Sequence, residues 1–238
     1  MEAVCSQNFD LVYYAYYWDP TLNTRGAYVG VELDGKQPTV SGSNVTEFLQ
    51  PGGACFLRKK TTASASGTEN LVFKESFKGT GANNEDDVWR RATPDGIIKL
   101  NIHQTDSFNL GQKPFDGAVA MFSSDFSNDV NDEDAEKFTN LDETIAFKNG
   151  NQSLVFDKRA IPENNDVLPI NISRYRYKNY TVHVNYEGIL ETTPYLVDNF
   201  KSETKEIKEG DNYFAYSIEE NGADDADRFS IVFVADEQ

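Results

Sequence analysis

Apolar positions along the chain fall in short runs that alternate with polar ones or read as buried strands. The runs are Leu11–Trp18, Ala27–Leu33, Ala54–Lys59, Asn70–Glu75, Gly96–His103, Gly117–Ser123, Thr144–Lys148, Gln152–Phe156, Val167–Ser173, Tyr180–Tyr186, Thr193–Asp198, Asn212–Ile218 and Arg228–Ala235. Turn residues separate them, notably Gly35, Pro51-Gly52-Gly53, Pro94-Asp95-Gly96, Asn149-Gly150-Asn151 and Gly210-Asp211. Many short strands with regular turn signals predict an all-β chain, an antiparallel β-sandwich with a jelly-roll-like arrangement. Asn149-Gly150 predicts a hairpin, because both residues readily take positive φ. In Thr181–Tyr186 the alternation assigns Thr181, His183 and Asn185 to one face and Val182, Val184 and Tyr186 to the other. Only Asp132–Phe138 reads as a short helix.

Gly79–Asp87 combines glycines, asparagines and three consecutive acids between strand-like segments. It predicts two packed β modules, residues 1–82 and 83–238, the first small enough to be incomplete or to lean on the second. The 238 residues suffice for such a core. Hydrophobic residues make up 39%, and 16 Phe, 12 Tyr and 2 Trp compensate for a modest aliphatic content.

A formal charge of −17 argues against nucleic acid and against anionic membranes as partners. No apolar run approaches the ~20 residues that span a bilayer. The first ten residues lack the regions of a signal peptide, so the chain reads as cytosolic or as a piece of a longer one. With only Cys5 and Cys55, a disulfide scaffold and a four-thiolate zinc site are excluded. A single Cys5–Cys55 bridge and a plain strand role for Cys55 both stay open.

Read in order, the segments resemble a known family. YYWDPTLNTRGAYV, FLQPGGACFLRKK and LVFKESFK are similar to one module of large secreted, adhesin-like surface proteins of Bacteroidetes. IIKLNI, DGAVAMF, DEDAEKF, ETIAF, SLVFD, VLPINI, NYTVHV, TPYLVDNF and ADDADRFSIVF are similar to the module that follows it. The resemblance implies β-rich modules that precede a sorting domain read by type IX secretion, hence a secreted or cell-surface location. The partners it implies are neighbouring domains and that secretion machinery. The upstream Asn-Pro-Tyr strand and the sorting domain of the family have no counterpart here, which again reads as an excised segment.

The chemistry on offer is sparse. Asp125–Glu136 holds six carboxylates in twelve residues. Asp125, Asp129, Asp132 and Asp134 are the candidate calcium ligands, because calcium takes six to eight oxygens; the alternative is a solvated acidic loop. Tyr14, Tyr16 and Trp18, with Tyr175 and Tyr177, are the candidate ligand-binding aromatics, a carbohydrate-stacking set; the alternative is that these rings fill a sandwich short of Leu and Ile. Alternation puts Tyr14, Tyr16 and Trp18 on one face of their strand and Tyr13, Ala15 and Tyr17 on the other. One face is expected in the core and one open. Asp19 is expected to cap its turn and pair with Arg25, and Asp227 to pair with Arg228; Arg174 and Arg176 are expected to bridge acids. The chain's two histidines, His103 and His183, lie within strand patterns, and no nucleophile elbow, zincin or phosphate-loop motif occurs. The sequence therefore reads as a non-catalytic structural or presenting segment. A carbohydrate-binding module is the alternative, and a glycan-acting hydrolase a more distant one.

Overall fold

In the computed structural model, residues 11–33, 37–49, 53–60, 71–77, 94–188 and 190–235 are described. Cys5 and the Gly79–Asp87 segment lie outside them; Cys55 is a half-buried free thiol.

The chain is all-β. β1 (Leu11–Asp19), β2 (Ala27–Glu32), β3 (Gln37–Pro38) and β4 (Phe56–Lys59) form a four-stranded sheet in the order β3-β2-β1-β4. A second, eleven-stranded sheet takes β5 (Gly96–Gln104), β6 (Asp116–Phe122), β7 (Ala135–Glu136), β8 (Thr144–Asn149), β9 (Gln152–Arg159) and β10 (Val167–Ser173). It continues through β11 (Asn179–Gly188), β12 (Thr192–Asp198), β13 (Glu203–Glu206), β14 (Gly210–Ser217) and β15 (Phe229–Ala235). Its order is β13-β12-β15-β10-β8-β9-β6-β5-β11-β14, with β7 paired to β9. One short helix, α1 (Thr105–Asn109), follows β5, its first turn capped by the Gln104 side chain on Ser107 N–H at 2.8 Å.

Antiparallel pairing prevails, with one exception. The β8–β9 hairpin turns at Gly150 (φ 57°) and lays β9 parallel to β6. The large sheet folds over itself. Ile98, Leu100 and Ile102 of β5 and Val182 and Val184 of β11 share one core with Leu168 and Ile170 of β10 and Ile231 and Phe233 of β15. Rings from strands that are not neighbours in the sheet meet inside it, Phe122 on Phe233 at 5.4 Å and Tyr216 on Phe229 at 4.8 Å.

Arg228 closes this sandwich. Its buried guanidinium bonds the Asp198 carboxylate at 2.6 and 2.8 Å and the carbonyls of Ser217 and Ala223 at 2.9 Å each, among the Phe200, Tyr216 and Phe229 rings. The expected pair with Asp227 does not form. Asp227 instead takes Lys148 at 2.7 Å and Asn171 at 3.0 Å, while Arg228, just before β15, is buried against Asp198.

The four-stranded sheet lies on the outer face of β6 and β9. Val12, Tyr14 and Tyr16 of β1 pack on Val119, Met121, Val155 and Phe156, so β6 is buried on both faces. The approach is close at Gly117, where a Cβ would lie 2.1 Å from the Thr39 carbonyl oxygen.

Two expected elements are corrected. Leu71–Lys74 is not a strand but an irregular stretch before a 3-10 turn (Glu75–Phe77), with Leu71, Val72 and Phe73 left exposed instead of packed on a sheet. Asp132–Phe138 is not helical. Residues 132–134 form a turn, and Ala135–Glu136 then pair with β9, Ala135 entering the core beside Phe156.

Candidate functional site

The aromatic strand β1 has no open face. It is an inner strand whose Tyr14 (2% exposed) and Tyr16 (1%) face the large sheet. Ala15 and Tyr17 face a second cluster with Leu22, Val29, Val31 and Val40. The alternation is as the sequence predicts; the expectation of a solvent-open half is overturned, because the loop after β3 covers what the large sheet does not. Tyr14 stacks on Phe156 at 4.9 Å and Tyr16 on Phe138 at 4.2 Å. Burial pushes the Tyr16 phenol well above its ordinary value. Trp18 alone reaches the surface, at 39%.

The acidic segment is where β1 docks. Tyr14 Oη donates to the Glu133 carbonyl, and Tyr16 Oη to the Glu136 carbonyl at 2.9 Å. Tyr28 N–H donates to Asn140 Oδ1 at 2.8 Å, and Arg25 reaches the Leu141 carbonyl at 2.8 Å. Residues 133–143 thus form a strap whose backbone accepts side chains from the small sheet, and this demand overrides the helical pattern. Of the candidate calcium ligands, Asp125 and Asp129 are exposed and Asp132 is half-buried. Asp134 is buried, its carboxylate taken by the Asn131 and Lys158 N–H groups at 2.8 Å each. Burial raises its pKa to about 6. Among the described residues no group of three or more His, Cys, Asp or Glu side chains is placed to hold a metal.

Buried charges complete the joint. Lys158 on β9 pairs with Glu32 on β2 at 2.6 Å, with side chains 5% and 6% exposed. Lys137 bonds Asp116 at 2.6 Å and the Gly117 carbonyl at 3.1 Å, while Asp116 also accepts Ile145 N–H at 2.9 Å. At the end of the strap, Arg25 Nε bonds both Asp142 oxygens at 2.8 and 3.0 Å. Arg176 takes Glu143 at 3.1 Å and Asp142 at 3.3 Å. Asn23 and Tyr180 finish Glu143 at 3.1 and 2.8 Å. The Arg25 hydrogen bond holds the Asp142 carboxyl below its ordinary pKa. The acid-bridging role expected of Arg176 is thus observed. Arg25 does not pair with Asp19, which caps Thr21 at 2.8 Å (N–H) and 2.7 Å (hydroxyl) and accepts the Ser43 hydroxyl at 2.7 Å.

Tyr175 and Tyr177 also prove structural neighbours. Tyr175 lies 5.0 Å from the Tyr180 ring, and burial raises its phenol to about 12. Tyr177 is exposed beside the Arg176 guanidinium, 5.3 Å from its ring centroid.

Two clusters were not legible in sequence. At the rim of the joint, Trp18, Tyr28, Phe56 and Phe138 form a run of edge-on rings at 4.9 to 5.9 Å, with Phe56 53% exposed. The Trp18 indole rests on Gly26, where any Cβ would come within 2.6 Å of it and where φ is +82°. On the outer face of β5, β11 and β14, His103 and His183 meet at 6.3 Å. His183 bonds Asp211 at 2.8 Å and stacks on Tyr213. His103 is buried under Phe108 of α1 with Nδ1 unpartnered, and burial, then His183, lower its pKa to about 4. Register alone joins them, since Thr181 opposes His103 and His183 opposes Tyr213.

Comparison with protein-family models, curated proteins and solved structures found no match to this chain.

Proposed function

We propose that this chain is a non-catalytic structural segment that presents neighbouring domains of a longer secreted or cell-surface bacterial protein of the type IX, adhesin-like kind. The observation that carries the structural part is the strap. Tyr14 and Tyr16 of the aromatic strand donate to backbone carbonyls of the strap, and Tyr28 with Asn140, Arg25 with Asp142 and Lys158 with Glu32 fasten one sheet to the other. A joint made of shared core plus buried ion pairs suits a spacer that keeps its ends in fixed relation. The surface assignment is supported by the order of sequence motifs.

Protease shaving of intact cells that carry the parent protein tests it. Peptides from this segment are expected in the shaved fraction, and absent from it when the secretion machinery is inactivated. Recovery only from lysed cells would overturn the assignment.

The Trp18 rim favours carbohydrate binding as a second reading. An indole braced on Gly26 and edged by Tyr28 offers rigid apolar area of the kind that stacks on sugar rings. Glycan-array binding lost in Trp18→Ala and Phe56→Ala supports this reading, and binding unaffected by both removes it.

A further inference from the structure

The strands at the ends of the two sheets are not alike. β3 contains Pro38, β4 carries Arg58 and Lys59, and β13 reads Glu203-Thr204-Lys205-Glu206 with every side chain exposed. Proline and alternating charge are the devices that stop a free edge from pairing. β14, Gly-Asp-Asn-Tyr-Phe-Ala-Tyr-Ser, has neither; Asp211 is its single charge.

The ladder shows which backbone groups of β14 face outward. Ile218 N–H bonds the Lys178 carbonyl at 2.9 Å, continuing the register in which Ser217 opposes Asn179. Even-numbered residues therefore bond β11, and Asp211, Tyr213, Ala215 and Ser217 turn their N–H and C=O groups to the open side. The Ser217 carbonyl is taken by Arg228. No described residue partners the outward backbone groups of Tyr213 or Ala215.

We infer that the β14 edge is a pairing surface for a second copy of this chain. Antiparallel pairing with Phe214 opposite its counterpart lets Tyr213 and Ala215 of one copy exchange backbone bonds with Ala215 and Tyr213 of the other. It sets a large side chain against a small one on the outer face, where Tyr213 is 50% exposed and already backed by Phe108 at 5.0 Å. It also places the two Asp211 carboxylates at opposite ends of the paired strands. Six residues of strand separate them, about 20 Å at ~3.4 Å per residue, beyond the ~8 Å screening length at physiological salt. Asp198, Lys201, Glu203 and Lys205 share a cleft with Phe214 and Ala215 and balance one another in charge; the net opposition is the repulsion between two chains of charge −17, so the dimer strengthens as salt rises.

Sedimentation of the 238-residue chain from micromolar to submillimolar concentration, at low and high salt, tests this. The wild type is expected to dimerise reversibly, more tightly in high salt. Ala215→Pro deletes the N–H on the free side, and Ala215→Lys installs a guard charge at an exposed position. Each is expected to weaken the dimer at least about tenfold, or ~1.4 kcal/mol, with unchanged circular dichroism and melting. A wild type that stays monomeric in all conditions overturns the inference. So does dimerisation by a folded variant as tight as wild type; should Ala215→Pro fail to fold, Ala215→Lys decides.

Discussion

Glu32→Gln neutralises one member of the ion pair that links β2 to β9. Lys158 Nζ lies 2.6 Å from Glu32 Oε1, with both side chains almost fully buried. At an effective dielectric of about 20 the attraction amounts to ~6 kcal/mol. Taking the two charges out of water costs several kcal/mol for each ion, so the intact pair contributes little net stability. The substitution leaves the ammonium buried with a neutral amide oxygen in place of its counter-charge and the Phe126 ring at 5.2 Å, and a buried charge that has lost its counter-ion costs ~3–5 kcal/mol. For a chain this long each kcal/mol lowers the melting temperature by roughly 2–4 °C, so a drop of about 6–20 °C is expected. Urea unfolding followed by circular dichroism measures the free-energy loss, and a thermal scan the drop. The double variant Glu32→Met/Lys158→Met is expected to recover most of the loss, because it leaves no orphan charge. A Glu32→Gln variant within ~1 kcal/mol of wild type would refute the reasoning, since it would mean that water reaches Lys158 and the joint is not dry.

Gly117→Ala would drive a Cβ against the Thr39 and Leu100 carbonyl oxygens; a loss of ~1–3 kcal/mol is expected in urea unfolding, and a neutral result would show that the sheets can separate there. Carboxyl and imidazole NMR titrations should place Asp134 near 6 and His103 near 4. Asp134 has a folded pKa above its ordinary 3.8, so its contribution to stability is lost as pH rises from about 4 to 6. His103 has a folded pKa below its ordinary 6.5, so its contribution is lost as pH falls from about 6.5 to 4. The two slopes oppose each other, and His103→Gln should leave stability falling as pH rises from about 4 to 6; an Asp134 midpoint near 4 would refute this. Because Asp134 is spent on backbone N–H groups, adding calcium or a chelator is expected to leave the melting curve unchanged. A shift of several degrees would restore the acidic segment as a calcium site.

The strands were largely legible, because period-two alternation and turn residues are local signals. The Asn149-Gly150 hairpin, both faces of β11 and the alternation within β1 follow from the residues themselves. The short elements were not legible. β7, β13 and the five-residue α1 lie below the length at which a period declares itself. In the strap, local helix propensity lost to the carbonyls that Tyr14 and Tyr16 require. Ion-pair partners are hidden from the sequence for a related reason. Asp19 with Arg25 and Asp227 with Arg228 are near in sequence, yet each arginine found its acid on another segment, Arg25 on Asp142 and Arg228 on Asp198.

The sequence by itself determined an all-β chain, the places where its strands run and the alternation of their side chains, since backbone geometry imposes these on any strand. Only the tertiary structure decided that both faces of the tyrosine strand are covered, that the acidic run is a strap, that the two histidines meet and that β14, paired to β11, has no strand on its other side among the described residues. Those are properties of which strand lies beside which, set by contacts between residues that the sequence keeps far apart.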